Sequence, residues 1–306
     1  MRLGRSSVRI MSRHPLLRFV AGAAAALCIS VVLVAQTVAR VLYVSVSDKQ
    51  TRAPITGLGP DAFDVREDGN RREVLRVTPA TSPMSVAIIV DNSQATTPTI
   101  ADLRKGLSAF VKSLDGIGPV AIITIADRPT ILRDYTTDHK QLQEAANRIF
   151  AQPGSGATLL DAIVEVSQGI AKRDTDRAAI VIVTGEHREF SNRHYRDVLE
   201  ALAKGGAQMH ALVLTGPGAA ALDDEARNRA SVLDLGPKAS GGTREDILTS
   251  QAFDVKLQEI AAILKSQHRV VYGRPTTLIP PEKIEVSATK PGQAASGGPA
   301  RRQVVR

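Results

Sequence analysis

The chain has 306 residues, of which 43% are hydrophobic, enough for roughly two globular domains and a sizeable buried core. Its formal net charge is +8, but five arginines lie within residues 1–18 and four more basic residues within 290–306, two segments without acidic residues. The residues between them are close to neutral. This distribution, together with an aromatic content of 3%, argues against a nucleic-acid-binding surface.

Residues 1–39 have the order of an export signal. The basic segment is followed by an apolar run at 19–35 and by small residues that offer cleavage after Ala35 or Ala39. The run is also just long enough to span a bilayer, so cleavage and retention as an inner-membrane anchor both stay open. We expect a periplasmic or extracellular protein, or one anchored in the inner membrane. Cleavage would also remove the single cysteine, Cys28, and with it any disulfide or cysteine-based site.

Residues 40–81 predict a small β unit. Residues 41–48 alternate apolar and polar side chains, the pattern of a half-buried strand. The alternation sets Leu42, Val44 and Val46 against Tyr43, Ser45 and Ser47. Further on, Asp68-Gly69-Asn70 is a strong turn signal between two short strands and predicts a hairpin. A segment of this size can hardly bury a core alone, so we expect it to pack against another part of the chain.

Residues 82–266 predict an α/β domain. Continuous apolar runs, typical of strands covered on both faces, occur at 86–90, 120–126, 178–184 and 210–215. Between them lie helices with one apolar stripe each, beginning near Ile100, Leu159 and Tyr195. This alternation predicts a doubly wound, Rossmann-like fold with a mostly parallel sheet.

Several boundaries within this domain follow from local signals. Thr97 is the predicted N-cap of the first helix, with Pro98 at its first position, and Gly205-Gly206 ends the third. Residues 131–136 follow a short turn and predict an antiparallel edge strand. A last helix is predicted around Leu257–Leu264.

The C-terminal part returns to β structure. Residues 268–275 and 283–289 predict strands, which we expect to complete the β unit of residues 40–81 within a segment at 267–290. Residues 291–306 are rich in Gly, Ala, Pro and Arg and offer no core, so they are predicted to be a disordered basic tail.

Polar loops follow the predicted strands. Asp91 to Ala95 follow the first strand, Thr184 to Glu186 end the third apolar run, and Gly154 to Thr158 precede the second striped helix. The carboxyl ends of parallel strands meet at one edge of a sheet, where α/β folds carry their binding sites. We therefore expect these three loops to converge.

The motifs VAIIVDNSQA at 86–95, GATLLDA at 156–162 and AIVIVTGE at 179–186 resemble a von Willebrand factor A domain in their order and spacing. The segments at 54–70 and 266–275 are similar to those that flank this domain in bacterial VWFA-related proteins. The resemblance covers residues 40–289. It implies a binding module for protein–protein interaction or adhesion and argues against an enzyme.

The same resemblance implies a metal-ion-dependent adhesion site. Its pattern is Asp-x-Ser-x-Ser on the first loop, Thr on the second and Asp on the third, a set suited to Mg²⁺ or another divalent cation. Asp91, Ser93 and Thr158 match, whereas Ala95 and Gly185 replace a hydroxyl and a carboxylate ligand.

Two interpretations of this degenerate site stay open. Glu186 follows Gly185 and could contribute a ligand, although an offset of one residue at a strand end usually reverses the side-chain direction. Without it, the remaining matched residues would serve only in hydrogen bonding and helix capping.

Three interpretations of function follow. In the first, protein partners meet the loops at 91–98, 153–158 and 185–194. In the second, the chain is a structural scaffold or assembly component that acts through the β unit and has lost binding at the loops. In the third, a hydrolase or second metal site would use the cluster Glu186, His187, Glu189 and His194, although its histidines are seven residues apart and a solvated polar loop explains it equally.

Overall fold

The computed structural model describes residues 37–216, 223–276 and 279–301. The predictions for the leader, apart from its last three residues, and for residues 302–306 lie outside this range. Within it, no helix combines the length and hydropathy that a membrane span requires.

A six-stranded sheet forms the centre of the α/β domain. Its strands are β5 (Met84–Val90), β6 (Val120–Thr124), β7 (Thr130–Thr136), β8 (Arg177–Gly185), β9 (Gln208–Leu214) and β10 (Arg244–Ile247). Their order is β10-β9-β8-β5-β6-β7, and all neighbours are parallel except the edge strand β7, which runs antiparallel to β6. The predicted parallel sheet and its antiparallel edge are therefore confirmed.

Six helices cover both faces of this sheet. They are α1 (Ile100–Ser113), α2 (His139–Asn147), α3 (Leu159–Ala171), α4 (Tyr195–Gly205), α5 (Asp224–Ser240) and α6 (Ala252–Lys265). The core on one face lies under α1, α2 and α6, and the core on the other lies under α3, α4 and α5. Strand β5 contributes side chains to both cores, since Ile88 points into the first core and Ile89 into the second. This two-sided burial explains the continuous apolar runs.

Helices α3 and α4 begin where they were predicted, α6 begins five residues before its predicted apolar stripe, α2 and α5 were not predicted, and the predicted start of α1 is wrong. The chain first makes a 3-10 turn at Gln94–Thr96, where the Thr97 hydroxyl donates to the Gln94 carbonyl (2.6 Å), so α1 begins at Ile100 rather than Pro98. Helix α4 ends as predicted, with Gly206 in the left-handed region (φ +65°).

The N- and C-terminal strands form a separate β unit. They are β1 (Thr37–Asp48), β2 (Phe63–Glu67), β3 (Asn70–Arg72), β4 (Val74–Pro79), β11 (His268–Pro275), β12 (Ile284–Ala288) and β13 (Gln293–Pro299). They make two antiparallel sheets, β13-β1-β11-β4 and β12-β2-β3. The sheets enclose a small core that includes Leu42, Phe63 and Tyr272. A flanking unit built from both ends of the chain was predicted and is confirmed.

Two strands differ from the sequence prediction. Strand β1 is buried on both faces, because the face with Tyr43 and Ser45 is turned to the α/β domain, where the Ser45 hydroxyl donates to the Ile263 carbonyl (3.0 Å). The second strand of the predicted hairpin is interrupted at Glu73. Its first part pairs with β2, and its second part, β4, pairs with β11 instead.

The prediction of a disordered tail is wrong for residues 293–299. They form β13, which pairs with β1 from Leu42 to Asp48. This pairing depends on small residues, since a Cβ on Gly297 would lie 2.4 Å from the Tyr43 carbonyl oxygen. Backbone hydrogen bonds and close approach, rather than apolar side chains, hold this strand.

Arg177 joins the β unit to the α/β domain. It is the first residue of β8 and is 5% exposed. Its Nη1 donates to the carbonyls of Ala80 (3.0 Å) and Ser82 (2.7 Å), and its Nη2 donates to the Leu264 carbonyl (3.0 Å) and Gln267 Oε1 (3.0 Å). One guanidinium therefore binds the segment before β5 and the end of α6.

Two amides extend this junction into β1. Gln267 Nε2 donates to Gln208 Oε1 (2.6 Å), and Gln208 Nε2 donates to the Tyr43 carbonyl (2.9 Å). The Arg177 guanidinium also lies 5.3 Å from the centroid of the Tyr43 ring. Because these groups are buried and satisfied by one another, the two units are held in one relative position.

We expect Arg177→Met to lower the free energy of unfolding by about 3 kcal/mol, because four buried acceptors lose their donor. Urea denaturation measures this change. Arg76→Met, at an exposed position of β4, is the control and should change stability by less than about 0.5 kcal/mol. Equal stability of the two variants would contradict the role of Arg177.

His210 should make stability depend on pH. It is buried in β9 with Nδ1 2.9 Å from Thr243 Oγ1, and burial lowers its pKa to about 4. The unfolded chain takes up this proton near pH 6.5, so stability should fall as the pH decreases from about 6.5 to 4, by up to about 3 kcal/mol. In urea denaturation across this range, His210→Gln should remove that part of the slope. An unchanged slope would refute the assignment.

Candidate functional site

The three polar loops meet at the carboxyl edge of the central sheet, as the sequence predicted. We name them the first loop (91–98), the second loop (153–158) and the third loop (185–194). Backbone hydrogen bonds join them, from Gln94 N to the Ser155 carbonyl (3.4 Å) and from Phe190 N to the Ala157 carbonyl (2.8 Å). The edge is therefore one continuous surface.

Asp91 is fully buried at the end of β5. Its Oδ1 accepts from Ser93 N (3.0 Å), and its Oδ2 accepts from the Thr184 hydroxyl (2.8 Å). Both carboxylate oxygens are thus bound to groups of the chain itself, one on the first loop and one at the end of β8.

The two matched hydroxyl residues are buried beside it but are used differently. Thr158 precedes α3, yet its hydroxyl donates to the Ile125 carbonyl (3.0 Å) and makes no capping bond to the helix. The Ser93 hydroxyl has no hydrogen-bond partner within the described part of the chain. Of the matched side chains, Ser93 therefore carries the one uncommitted oxygen.

In the described part of the chain, Ala95 and Gly185, the two positions that depart from the metal-site pattern, have no neighbouring side chain that replaces the lost ligand. Ala95 lies exposed in the 3-10 turn. At Gly185, an added Cβ would lie 2.3 Å from His187 Nε2, so the imidazole occupies the space into which a side chain at 185 would project. Glu186 has an exposed side chain and a backbone N–H that donates to the Leu214 carbonyl (3.1 Å).

The group that the sequence did not indicate is Arg229, which α5 carries into this edge. It is 4% exposed. Its Nη1 donates to Glu189 Oε2 (2.9 Å), and its Nη2 donates to the Thr184 hydroxyl (2.6 Å) and the Gly185 carbonyl (2.7 Å). The same Nη2 lies 4.0 Å from Asp91 Oδ2. A guanidinium therefore sits between the two buried carboxylates.

Glu189 ties this arginine to the start of α3. Its Oε1 accepts from the backbone N–H groups of Ser191 (3.1 Å) and Leu160 (3.5 Å). Its side chain is completely buried. The N-terminal end of α3 favours a negative charge, so Glu189 is stabilised on both sides.

The residues of the predicted second cluster point to different places. Glu186 is exposed, Glu189 pairs with Arg229, and His194 accepts from Arg196 N (3.3 Å) at the start of α4. Burial lowers the pKa of His187, with Arg229 adding to the lowering and Asp91 and Glu186 opposing it. Within the described residues, no group of three or more His, Cys, Asp and Glu side chains could hold a metal ion.

The side chains present do not fit a divalent cation. Mg²⁺ requires a nearly octahedral set of oxygens and favours carboxylates. Here Asp91 is the only matched carboxylate, both of its oxygens accept hydrogen bonds, and a guanidinium lies 4.0 Å away. The free Ser93 hydroxyl alone does not make a site.

A family model described as the von Willebrand factor type A domain matches residues 86–187. This segment runs from β5 through the end of β8 into the third loop, the elements that place Asp91, Thr158 and Gly185. We therefore call the α/β domain, which contains these residues, the von Willebrand factor A (VWA) domain. A search of curated proteins gave no significant match.

Solved structures are similar to this chain at low identity. A von Willebrand factor type A protein from Catenulispora acidiphila is 12% identical, with a TM-score of 0.47 over 86% of this chain and 73% of that one. The conserved hypothetical protein BatB from Bacteroides thetaiotaomicron is 18% identical, with a TM-score of 0.44 over 60% and 100%. The PilB minor pilin from Streptococcus sanguinis is 10% identical, with a TM-score of 0.44 over 61% and 62%. No function follows from likenesses at this level.

We expect Gly185→Ala to destabilise the VWA domain by about 1–3 kcal/mol, because the new methyl group overlaps the His187 ring. The double variant Gly185→Ala/His187→Ala should recover most of this loss, which urea denaturation of both variants and of His187→Ala alone would measure. Additive effects would contradict the packing of His187 on Gly185.

Proposed function

We propose that the chain is an exported binding module whose VWA domain contacts a protein partner through the loops at its carboxyl edge. The observation that carries this proposal is the exposure of two phenylalanines there. Phe150, just before the second loop, is 64% exposed, and Phe190, in the third loop, is 57% exposed. Exposed aromatic side chains are uncommon in a chain with 3% aromatic residues, and they are typical anchors of protein interfaces.

Phe190 is held in place despite its exposure. One side of its ring packs on the second loop, where a Cβ on Gly156 would lie 2.2 Å from Phe190 Cδ2. The Arg188 guanidinium lies 5.4 Å from the ring centroid. A partner would therefore meet an ordered ring and would lose little side-chain entropy on binding.

Phe150 is fixed through its backbone. Asn92 Nδ2 donates to the Phe150 carbonyl (3.3 Å), while Asn92 Oδ1 accepts from the backbone N–H groups of Ile125 (3.2 Å) and Ala126 (3.0 Å). Leu248, which follows β10 at the same edge, is 84% exposed. The edge thus offers apolar side chains on a rigid base, which suits binding of a protein surface.

The state of the buried carboxylates favours binding over catalysis. Asp91 and Glu189 each accept hydrogen bonds at both carboxylate oxygens. A general base needs a lone pair directed at substrate, and these side chains are committed to the protein itself. We therefore propose a binding role for this edge.

Export and localisation rest on the leader. Thr37 to Ala39 begin β1 and pair with Gly273 to Pro275 of β11. Cleavage after Ala35 leaves this pairing whole, whereas cleavage after Ala39 removes three paired residues. We propose a periplasmic or extracellular location with cleavage at Ala35, or attachment to the inner membrane through residues 19–35 if the leader is retained.

A structural scaffold that acts through the β unit is the second candidate. Leu75 on β4 is 48% exposed, and Arg177 fixes this unit to the VWA domain. In this alternative, partners would meet the sheet β13-β1-β11-β4 rather than the loops.

Cross-linking capture from the envelope and culture fluid of the encoding organism distinguishes the two candidates. We expect Phe150→Ser/Phe190→Ser to reduce capture of specific partners about tenfold or more, because two interface anchors are lost. Leu75→Ser is the matched exposed control and should leave capture unchanged.

The opposite pattern, with capture lost in Leu75→Ser and kept in the phenylalanine variant, would favour the scaffold. All three side chains are exposed, so the variants should remain folded. Circular dichroism and melting temperatures would verify this.

A further inference from the structure

We infer that the Arg229 guanidinium is the resident cation of the carboxyl edge, in place of a divalent metal ion. On this inference the three loops are assembled and held without metal. The inference concerns the charge balance of the chain itself and does not depend on the proposed partner.

Three charged side chains are buried together at the carboxyl edge. Asp91, Glu189 and Arg229 all have side chains that are 5% exposed or less. A buried carboxylate is strongly unfavourable unless a positive charge or several donors compensate it. Within the described residues, the two ion pairs that reach Asp91 and Glu189 both come from Arg229.

The Arg229 guanidinium is oriented by its acceptors at the end of β8. Nη2 of Arg229 has two acceptors, the Thr184 hydroxyl and the Gly185 carbonyl, and both lie at the end of β8. The Thr184 hydroxyl accepts from Arg229 and donates to Asp91 Oδ2 (2.8 Å). The positive charge is thus linked to Asp91 both directly, over 4.0 Å, and through one hydroxyl.

Arg229 connects α5 to groups on three other parts of the fold. Asp91 directly follows β5, Thr184 and Gly185 end β8, and Glu189 belongs to the third loop, while Arg229 itself comes from α5. A planar guanidinium with several fixed donors can bridge four such groups, as a metal ion with several ligands can. Gly185 takes part through its carbonyl, so an aspartate at this position is not needed.

A resident guanidinium and a metal ion would differ in how they contact a partner, a difference that rests on the proposed function. A partly coordinated metal ion at a surface attracts a carboxylate from a partner. Arg229 is buried and its described donors are used within the chain, so it offers no such contact. We expect binding at Phe150 and Phe190 to be unaffected by EDTA.

The first test uses the unmodified chain without any partner. Its melting temperature should be the same in EDTA and in millimolar Mg²⁺, Mn²⁺ or Ca²⁺, because a ligand that binds only the folded state raises the melting temperature. An increase with Mn²⁺ that disappears in Asp91→Asn would overturn the inference, since a metal site would then exist beside Arg229.

The second test removes the charge. Arg229→Met should lower the melting temperature by about 10 °C, because two carboxylates lose their cation in a buried site. Arg227→Met is the matched control, since Arg227 lies exposed on the same helix and pairs with exposed Asp224. It should change the melting temperature by less than about 2 °C.

Equal melting temperatures of Arg229→Met and Arg227→Met would overturn the inference. If Arg229→Met does not fold, Arg229→Lys, which keeps the charge without the planar fork, should fold with intermediate stability. In that case, the melting temperatures of the unmodified chain in EDTA and with each metal ion decide whether a metal site exists. Failure of partner capture would refute the proposed function and leave these measurements unaffected.

Discussion

Two buried guanidinium groups act at opposite ends of strand β8, and the arrangement of the molecule depends on them. At its start, Arg177 binds neutral acceptors, three carbonyls and an amide oxygen, and joins two structural units. At its end, Arg229 binds Glu189 together with Thr184 and Gly185. The first network supplies donors to backbone groups that burial would leave unsatisfied, whereas the second balances charge. Both networks place a guanidinium where β8, one of the two central strands of the sheet, meets another element of the fold.

This arrangement gives the carboxyl edge a fixed base. The side-chain oxygens of Asn92 and Glu189 accept hydrogen bonds from backbone N–H groups and so hold the loops in place. Backbone hydrogen bonds between the loops add to this. Phe150 and Phe190 stand on this base with most of their surface exposed. Ordered aromatic side chains on short loops lose little entropy when a partner covers them, so the affinity of such a surface comes mainly from apolar burial.

Much of the fold could be predicted from the sequence because its strands are either buried on both faces or bounded by clear turns. Runs such as 86–90 and 178–184 leave little alternative to a parallel sheet, and Gly206 ends α4 where its pattern indicated. Strand β13 could not be predicted, because its small residues carry no apolar signal and its order comes from pairing with β1.

Helix α5 and its arginine were missed for a related reason. The helix contains Pro237 and a charged residue at a buried position, so its apolar stripe is interrupted where Arg229 faces the core. A signal existed elsewhere in the chain. Asp91 is retained while Ala95 and Gly185 replace its expected companions, and a buried aspartate that loses its metal needs another positive charge. The sequence therefore implied a compensating cation, but the choice among 39 lysines and arginines required the folded chain.

A cation that belongs to the polypeptide differs from a metal ion in its response to the surroundings. A metal site empties as the free ion concentration falls below its dissociation constant, and its loops then lose that source of order. Arg229 is part of the chain itself, so its presence at the carboxyl edge does not depend on the concentration of a free ion. With Arg229 as the resident cation, the three loops keep one arrangement at any concentration of free metal ions, as long as the domain is folded. In the proposed binding role, control would act on access to Phe150 and Phe190, through the partner or through the location of the chain, rather than on ion occupancy.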